Sequence, residues 1–224
     1  MHDGEMIEIK NQVAHYQYTA DALCDLRTDI APLLAQHVIS NEEYQSWGMV
    51  GLLGTLYATD KLDGYFASKR ASLIAQASDS EKSVIESDEK LMQAIAQGGR
   101  KDDKADKTLT HAIFLSIAVR ESCNTNVAYG LVVAGSDAIM YGRDKLVGYA
   151  RDKAEAKGKK GDARKLGKYK QGLLVATALV AVAPINSSKE KTPVGRKIVA
   201  AGMIGGVILS IASGIDQIRS LKSS

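Results

Sequence analysis

Residues 198–215 read IVAAGMIGGVILSIASGI, eighteen consecutive positions without a charged side chain. A helix of that length is about 27 Å long, close to the ~30 Å hydrocarbon core of a bilayer. Its glycines Gly202, Gly205 and Gly206 allow a neighbouring helix to approach closely, as membrane helices do. The stretch therefore predicts a long apolar helix packed against others, inside either a membrane bundle or a soluble all-α bundle.

Five further segments are uncharged in the same way: Ile30–Asn41, Tyr44–Thr59, Thr108–Val119, Cys123–Ser136 and Gln171–Ser188. Each adjoins a charged stretch that can continue the helix. Aromatic residues make up 5% of the chain, which disfavours a β-sandwich or barrel. We therefore expect an all-α protein, with six transmembrane helices if the bundle lies in a membrane. A charged fraction of 25% keeps a soluble helical interaction domain as the alternative.

Composition excludes several other classes. The chain has two cysteines, Cys24 and Cys123, too few for a disulfide framework or a cysteine-ligated zinc site. The net charge of +3 does not by itself imply nucleic acid, and we expect no nucleic-acid partner. The N-terminus is polar and acidic, so no secretory signal peptide is expected.

The N-terminal segment, residues 1–28, has scattered apolar side chains among polar ones, for example Ile7, Ile9 and Val13. This pattern is typical of an amphipathic helix lying on a membrane surface, although a soluble helix has the same pattern. We expect residues 29–219 to form the membrane domain.

Two pairs of aspartates stand at the ends of uncharged segments. Asp60 and Asp63 follow the second segment and are three residues apart; Asp102 and Asp106 precede the third and are four apart. Either spacing places both carboxylates on one face of a helix. Carboxylates at such positions are costly unless they coordinate something, and oxygen ligands suit Mg²⁺ or Mn²⁺. The small residues beside them, Gly64, Ala67 and Gly98, leave room for a bulky ligand.

These residues resemble the signature D-x-x-D-G-x-x-A-R-x8-G-x-x-x-D-x-x-x-D of the CDP-alcohol phosphatidyltransferases. The sequence Leu26-Arg27-Thr28-Asp29-Ile30-Ala31-Pro32-Leu33 looks like the start of that family's first membrane helix. The stretches 142–151 and 166–171 are similar to a segment of its phosphatidylglycerophosphate synthase branch. Ser213-Gly214-Ile215-Asp216 matches the close of the sixth helix, so the resemblance spans roughly residues 26–218.

The resemblance implies six membrane helices, an active site facing the cytoplasm and a multi-pass protein of the cell membrane. It implies transfer of a phosphatidyl group from CDP-diacylglycerol to glycerol 3-phosphate with release of CMP. Asp60, Asp63, Asp102 and Asp106 would hold Mg²⁺ or Mn²⁺, and Asp106 would also act as general base. CDP would be bound by Asp63, Gly64, Ala67 and Gly98. A homodimer is compatible with this assignment.

A basic block supplies the predicted acceptor site. Residues 143–170 contain eleven Lys or Arg and four acids, a composition that is also typical of a positively charged cytoplasmic loop. By the resemblance, the cations that would bind the acceptor's phosphate are Arg143, Arg151, Lys168 and Lys170. Other acceptors stay open: inositol phosphate, serine or a phospholipid.

Two departures from the signature favour a non-catalytic membrane relative instead. Ser68 stands where the family has arginine, with Lys69 and Arg70 next in line. Residues 69–97 number 29 where the family has eight, so about 71–97 is a polar insertion. Its acidic stretch Asp79–Lys90 predicts a capped surface helix, and we expect the insertion to be a solvated appendage.

Overall fold

The computed structural model describes residues 2–41, 43–124, 126–155, 165–186 and 194–223. Within these ranges the secondary structure is helical and contains no strand, so the all-α prediction is confirmed. The helices are α1 (His2–Ser40), α2 (Trp47–Gln76), α3 (Asp79–Glu86), α4 (Glu89–Asn124), α5 (Val127–Glu155), α6 (Lys165–Val182) and α7 (Val194–Ser223), with a short 3₁₀ helix at Pro184–Asn186. Part of the basic block, residues 156–164, lies outside the described residues, as do the last two positions of the segment Gln171–Ser188.

One helix in the described part of the chain is long and apolar enough to cross a membrane. It is the stretch Val194–Arg219 of α7, which contains the uncharged residues 198–215. The other long helices join an uncharged segment to a charged one, as α4 does where residues 102–106 meet the segment Thr108–Val119. The structure therefore supports one membrane-competent helix by length and composition, and the six-span arrangement stays a proposal.

The chain divides into two compact units. The first comprises Met1–Pro32 and Gly54–Leu109, and the second comprises Leu33–Leu53 and Thr110–Ser224. In the second unit, α5 and α6 both pack against α7. A Cβ added to Gly205 would lie 3.2 Å from Leu173 Cδ2, and one added to Gly206 would lie 2.8 Å from Leu174 Cδ2. The close helix approach that these glycines predict is confirmed.

The insertion in the first unit is not a solvated appendage, and that prediction is wrong. Ile85 of α3 and Leu91 of α4 are buried together with Val13 of α1, and Ile9 and Ile95 pack against them. Lys10 and Asp88 add an ion pair of 2.9 Å between α1 and the insertion. Ile9 and Val13 therefore cover the insertion, and both lie in α1, which is one helix from His2 to Ser40.

Local chemistry explains why α3 begins where it does. Ser78 accepts a hydrogen bond from the backbone N–H of Glu81, and the Ser78 N–H donates to the Glu81 carboxylate at 2.7 Å. This reciprocal pair is a capping box, which satisfies two N–H groups that the helix cannot bond internally. The predicted cap is confirmed, but the stretch Asp79–Lys90 is not one surface helix: α3 ends at Glu86, α4 begins at Glu89, and Ile85 of α3 is buried against α1.

Replacing Leu91 with alanine should lower the free energy of unfolding by about 2–5 kcal/mol, because it empties a fully buried site. The neighbouring Met92 is 37% exposed, so Met92→Ala should change stability by about 0.5 kcal/mol or less. Unfolding of both variants by denaturant under the same conditions measures the difference in unfolding free energy. Equal destabilisation by the two substitutions would contradict the packing of the insertion against α1.

Candidate functional site

The four aspartates that the sequence singles out surround one buried guanidinium, that of Arg27 in α1. Its Nη1 donates to Asp106 Oδ1 at 2.5 Å and lies 3.8 Å from Asp60 Oδ1. Its Nη2 donates to Asp102 Oδ1 at 2.8 Å and also to Asp63 Oδ2. Each pair lies on one helix face, Asp60 and Asp63 on α2 and Asp102 and Asp106 on α4, as the spacing predicts. We call these five residues the aspartate cluster; all of them belong to the first unit.

Arg27 is the residue that the sequence reasoning missed. It is fully buried, and it contacts all four aspartates. A buried charged side chain needs oppositely charged partners. Once two acidic pairs are known, an arginine near the start of an uncharged segment can therefore be predicted as their partner. The sequence shows Arg27 three residues before such a segment, Ile30–Asn41, but it does not show which helices meet there.

The charges in the cluster do not balance. Four carboxylates face the buried guanidinium of Arg27 and the exposed ammonium of Lys61, which pairs with Asp60 at 2.9 Å. Asp102, at 41% side-chain exposure, is the most solvated of the four. Burial raises the pKa of the Asp63 and Asp106 carboxyls, the neighbouring carboxylates raise it further, and Arg27 opposes both effects. Both residues lie outside the uncharged segments 44–59 and 108–119. Additional positive charge at this position would therefore stabilise the ionised form of the cluster.

The donor set fits a hard divalent cation. Asp60, Asp102 and Asp106 each offer a carboxylate oxygen, and these atoms lie within 4.8 Å of one another. Oxygen ligands of this kind are the ones that Mg²⁺ and Mn²⁺ prefer. Arg27 contacts one oxygen of each carboxylate, and Lys61 pairs with the other oxygen of Asp60 at 2.9 Å.

Cys24 lies beside the cluster but does not extend the ligand set for such an ion. Its Sγ is 3.5 Å from Asp63 Oδ2 and 3.5 Å from Arg27 Nη2. Burial raises the pKa of the Cys24 thiol to about 12, so it stays protonated and donates a weak hydrogen bond to Asp63. A protonated thiol is a poor ligand for a hard cation.

The small residues predicted to admit CDP differ in their surroundings. A Cβ added to Gly64 would meet no atom within 4 Å, so the helix surface there is open. At Gly98 the added Cβ would lie 3.3 Å from Gln17 Nε2 and 3.8 Å from Arg70 Nη1. Gln17 of α1 is buried, accepts from Arg70 and donates to the Ala94 carbonyl at 3.1 Å. Gly98 thus lets α1 and α4 approach each other closely, whereas Gly64 leaves free space at the surface of α2.

Two of the four predicted acceptor cations meet in the second unit. Arg143 Nη1 and Lys170 Nζ donate to the same oxygen of Asp144, at 2.6 Å and 2.9 Å, and both Asp144 and Lys170 are buried. Arg151 is half-buried two turns beyond Arg143 on α5, and Lys168 is exposed on α6. We call Arg143, Asp144 and Lys170 the basic cluster.

The chain matches no family model, no curated protein and no solved structure. The features of the molecule that bear on its function are therefore the two clusters and the residues that build them.

Proposed function

We propose that this chain transfers a phosphatidyl group from CDP-diacylglycerol to glycerol 3-phosphate and releases CMP, with Mg²⁺ or Mn²⁺ as cofactor. The observation that carries the proposal is the aspartate cluster: two acidic pairs, 39 or more residues apart along the chain, meet at one point. A group of carboxylates whose excess negative charge a divalent cation would neutralise suits a metal-dependent phosphotransfer site.

In this proposal the aspartates have two roles. Asp60, Asp63, Asp102 and Asp106 hold the cation, which when bound would neutralise charge on the pyrophosphate as CMP departs. Asp106 takes the proton of the acceptor hydroxyl as general base. The acceptor oxygen then forms a bond to the β-phosphorus, and the bond from that phosphorus to the CMP oxygen breaks. Gly64, Ala67 and Gly98 admit the nucleotide because they lack bulk.

Exposed apolar side chains on α7 support a reaction at a membrane. Ile204, Ile208, Ile211 and Ile215 lie along this helix and are between 47% and 62% exposed. Exposed apolar stretches of this length are unusual on a soluble monomer and suit contact with lipid acyl chains. We propose six membrane helices, a cytoplasmic active site and a location in the cell membrane. The diacylglycerol chains of the donor would then stay in the bilayer.

The preference for a phosphorylated acceptor rests on the basic cluster. Arg143 and Lys170 lie side by side on one carboxylate, so a dianionic phosphate would find two charged donors together. Arg151 and Lys168 are the further candidates for this contact. Inositol phosphate shares the phosphate group, whereas serine or a neutral alcohol would not use these cations.

A panel assay tests the proposal. The purified chain receives CDP-diacylglycerol and Mg²⁺ together with glycerol 3-phosphate, inositol phosphate, serine or glycerol, and the released CMP is quantified. We expect CMP release to be fastest with glycerol 3-phosphate. A neutral alcohol accepted better than glycerol 3-phosphate would contradict the phosphate-binding role of the basic cluster.

A second candidate function is that of a membrane protein that keeps the cluster without catalysis. The contact of Arg27 with all four aspartates favours it, because a guanidinium can compensate carboxylates in the absence of a metal. Ser68, in place of the signature arginine, points the same way. No CMP release with any acceptor, from a chain that is folded and holds Mg²⁺, would support this candidate.

A further inference from the structure

The helices of the second unit bury polar side chains and expose apolar ones. On α5, Ser136 and Asp137 are buried while the nearby Ile139 is exposed, and on α7, Ser210 and Ser213 are fully buried. In water the opposite distribution is favourable, because apolar surface is driven out of water and polar groups keep their hydration. The surface of this unit therefore suits an apolar surrounding.

The first unit has the ordinary distribution around the core that its insertion forms with α1. There the buried side chains are apolar, namely Val13, Ile85 and Leu91, and the exposed positions of α3 and α4 include Glu86 and Glu89. The inverted polarity is therefore a property of the second unit, and it does not follow from the composition of the chain as a whole.

The exposed side of α5 extends this apolar surface beyond α7. Across residues 127–142 none of the exposed side chains is charged, and these sixteen positions rise about 24 Å, close to the ~30 Å hydrocarbon core of a bilayer. The one charge in this stretch, Asp137, is buried, with its Oδ1 2.7 Å from His111 Nδ1 of α4. Because Ser136 and Asp137 lower the average hydropathy of α5 without reaching its surface, composition alone marks only α7 as a span among the described helices.

Trp47 stands at one end of this unit. It is the first residue of α2 and is 68% exposed. The preceding residue, Ser46, donates its backbone N–H to the carbonyl of Val182, the last residue of α6, at 3.0 Å. Tryptophan is enriched where a membrane meets water, because its ring is apolar and its N–H is polar. A bilayer boundary is therefore expected at this end of α6.

Exposed tyrosines stand at the other end of α6 and beside it on α5. They are between 49% and 69% exposed and comprise Tyr141, Tyr149 and Tyr169. Lys170 donates to Asp144 at 2.9 Å, so Tyr169 lies beside this part of α5. The Lys145 ammonium lies 5.2 Å from the centroid of the Tyr141 ring, and lysines at a membrane boundary extend their charge toward the headgroups. From residue 169 to residue 182, α6 rises about 20 Å, which is most of a hydrocarbon core.

We propose that the second unit carries a phospholipid-binding surface: an uncharged band on α5 and α7 that contacts acyl chains, with Trp47 in one headgroup layer and the three tyrosines in the other. This inference rests on the membrane setting of the proposed function and not on its transfer chemistry. It adds α5 to the helices that contact lipid, and it assigns the positions of both boundaries. The polar side chains of α5 then face other helices, so they are shielded from the acyl chains.

Fluorescence quenching tests this surface, because Trp47 is the only tryptophan in the sequence. The unmodified chain is reconstituted in vesicles of phosphatidylcholine whose acyl chains carry bromine either near the headgroup or near the bilayer centre. Ile139→Trp and Met92→Trp, each in a Trp47→Phe chain, report on the middle of the α5 band and on the insertion. Both positions are exposed, so neither substitution requires a core to repack.

The expected quenching differs among the three tryptophans. We expect bromine near the headgroup to quench Trp47 more than bromine at the bilayer centre, and the reverse order for Ile139→Trp. Met92→Trp should be quenched by iodide in the water phase and by neither lipid. Trp47 tests the boundary without any substitution, so the test stands even if Ile139→Trp does not fold.

Quenching of Ile139→Trp by iodide and not by lipid would overturn the proposed surface, as would stronger quenching of Trp47 by the central bromine. Protection of Ile139→Trp from both quenchers would overturn it too, since a second copy of the chain or another protein would then cover α5. CMP release measured on the same vesicles separates this inference from the proposed function. Lipid quenching without CMP release would support the surface and contradict the transfer, and CMP release without lipid quenching would do the reverse.

Discussion

Replacing Asp102 with asparagine is expected to lower CMP release by roughly ten- to a hundredfold while leaving the protein folded. Asp102 accepts from Arg27 at 2.8 Å, and its oxygen is within 4.8 Å of ligand atoms of Asp60 and Asp106. Asparagine keeps an oxygen in the same place but removes the charge that a divalent cation needs. Interactions with charged groups are worth ~1.5–3 kcal/mol each, and ~3 kcal/mol in the transition state corresponds to roughly a hundredfold in rate.

The adjacent residue provides the control for this variant. Asp103 is 50% exposed and pairs with Lys107 at 2.5 Å, so Asp103→Asn makes the same chemical change away from the aspartate cluster. We expect its CMP release to stay near that of the unmodified chain, with circular dichroism and melting curves showing both variants folded. Equal activity of the two variants at limiting Mg²⁺ would contradict the assignment of Asp102 as a metal ligand.

Replacing Arg27 with alanine should cost about 3–5 kcal/mol of unfolding free energy, the second large effect we expect. Arg27 is fully buried and supplies positive charge to four aspartates, so its removal leaves the buried Asp63 and the largely buried Asp106 without that charge. In a chain of 224 residues this corresponds to a decrease in Tm on the order of 10 °C. Lys101→Ala is the control, because Lys101 and Asp25 form a partly exposed pair at 2.8 Å that is worth at most about 1 kcal/mol.

The Arg27→Ala variant also reports on the cation. If the aspartate cluster binds Mg²⁺, millimolar Mg²⁺ should recover part of the lost Tm, since a ligand that binds only the folded state stabilises it. The unmodified chain should show a smaller shift, because Arg27 already compensates part of the charge. The same Tm with and without Mg²⁺ in Arg27→Ala would indicate that the carboxylates do not hold the ion.

The sequence predicts those features of the fold that depend on near neighbours in the chain. The spacings of Asp60 with Asp63 and of Asp102 with Asp106 fix one helix face each, because helical periodicity is local. The capping box at Ser78 is local as well. Uncharged runs likewise locate helices, although they do not show where each helix ends: the segment Thr108–Val119 is the later part of a helix that begins at Glu89.

Contacts between distant segments could not be predicted in this way. The burial of Ile85 and Leu91 depends on Val13, more than seventy residues earlier, and no pattern within the insertion indicates that partner. Arg27 is likewise more than thirty residues away in sequence from each aspartate that it contacts, so no local pattern indicates that they meet. In the basic block, Lys168 and Lys170 carry the same charge and lie two residues apart. The sequence therefore does not show that Lys170 is buried in an ion pair with Asp144 whereas Lys168 is exposed.

The most direct test of the central claim, that the aspartate cluster serves cation-dependent transfer, is a Mg²⁺ titration of CMP release. The purified unmodified chain is given CDP-diacylglycerol and glycerol 3-phosphate, and CMP is quantified across Mg²⁺ concentrations and in excess EDTA. The account predicts saturable CMP release that requires Mg²⁺, is restored by Mn²⁺ after EDTA treatment, and matches the phosphatidyl product formed one to one. CMP release at the same rate in EDTA as in Mg²⁺, or none at any Mg²⁺ concentration, would contradict it.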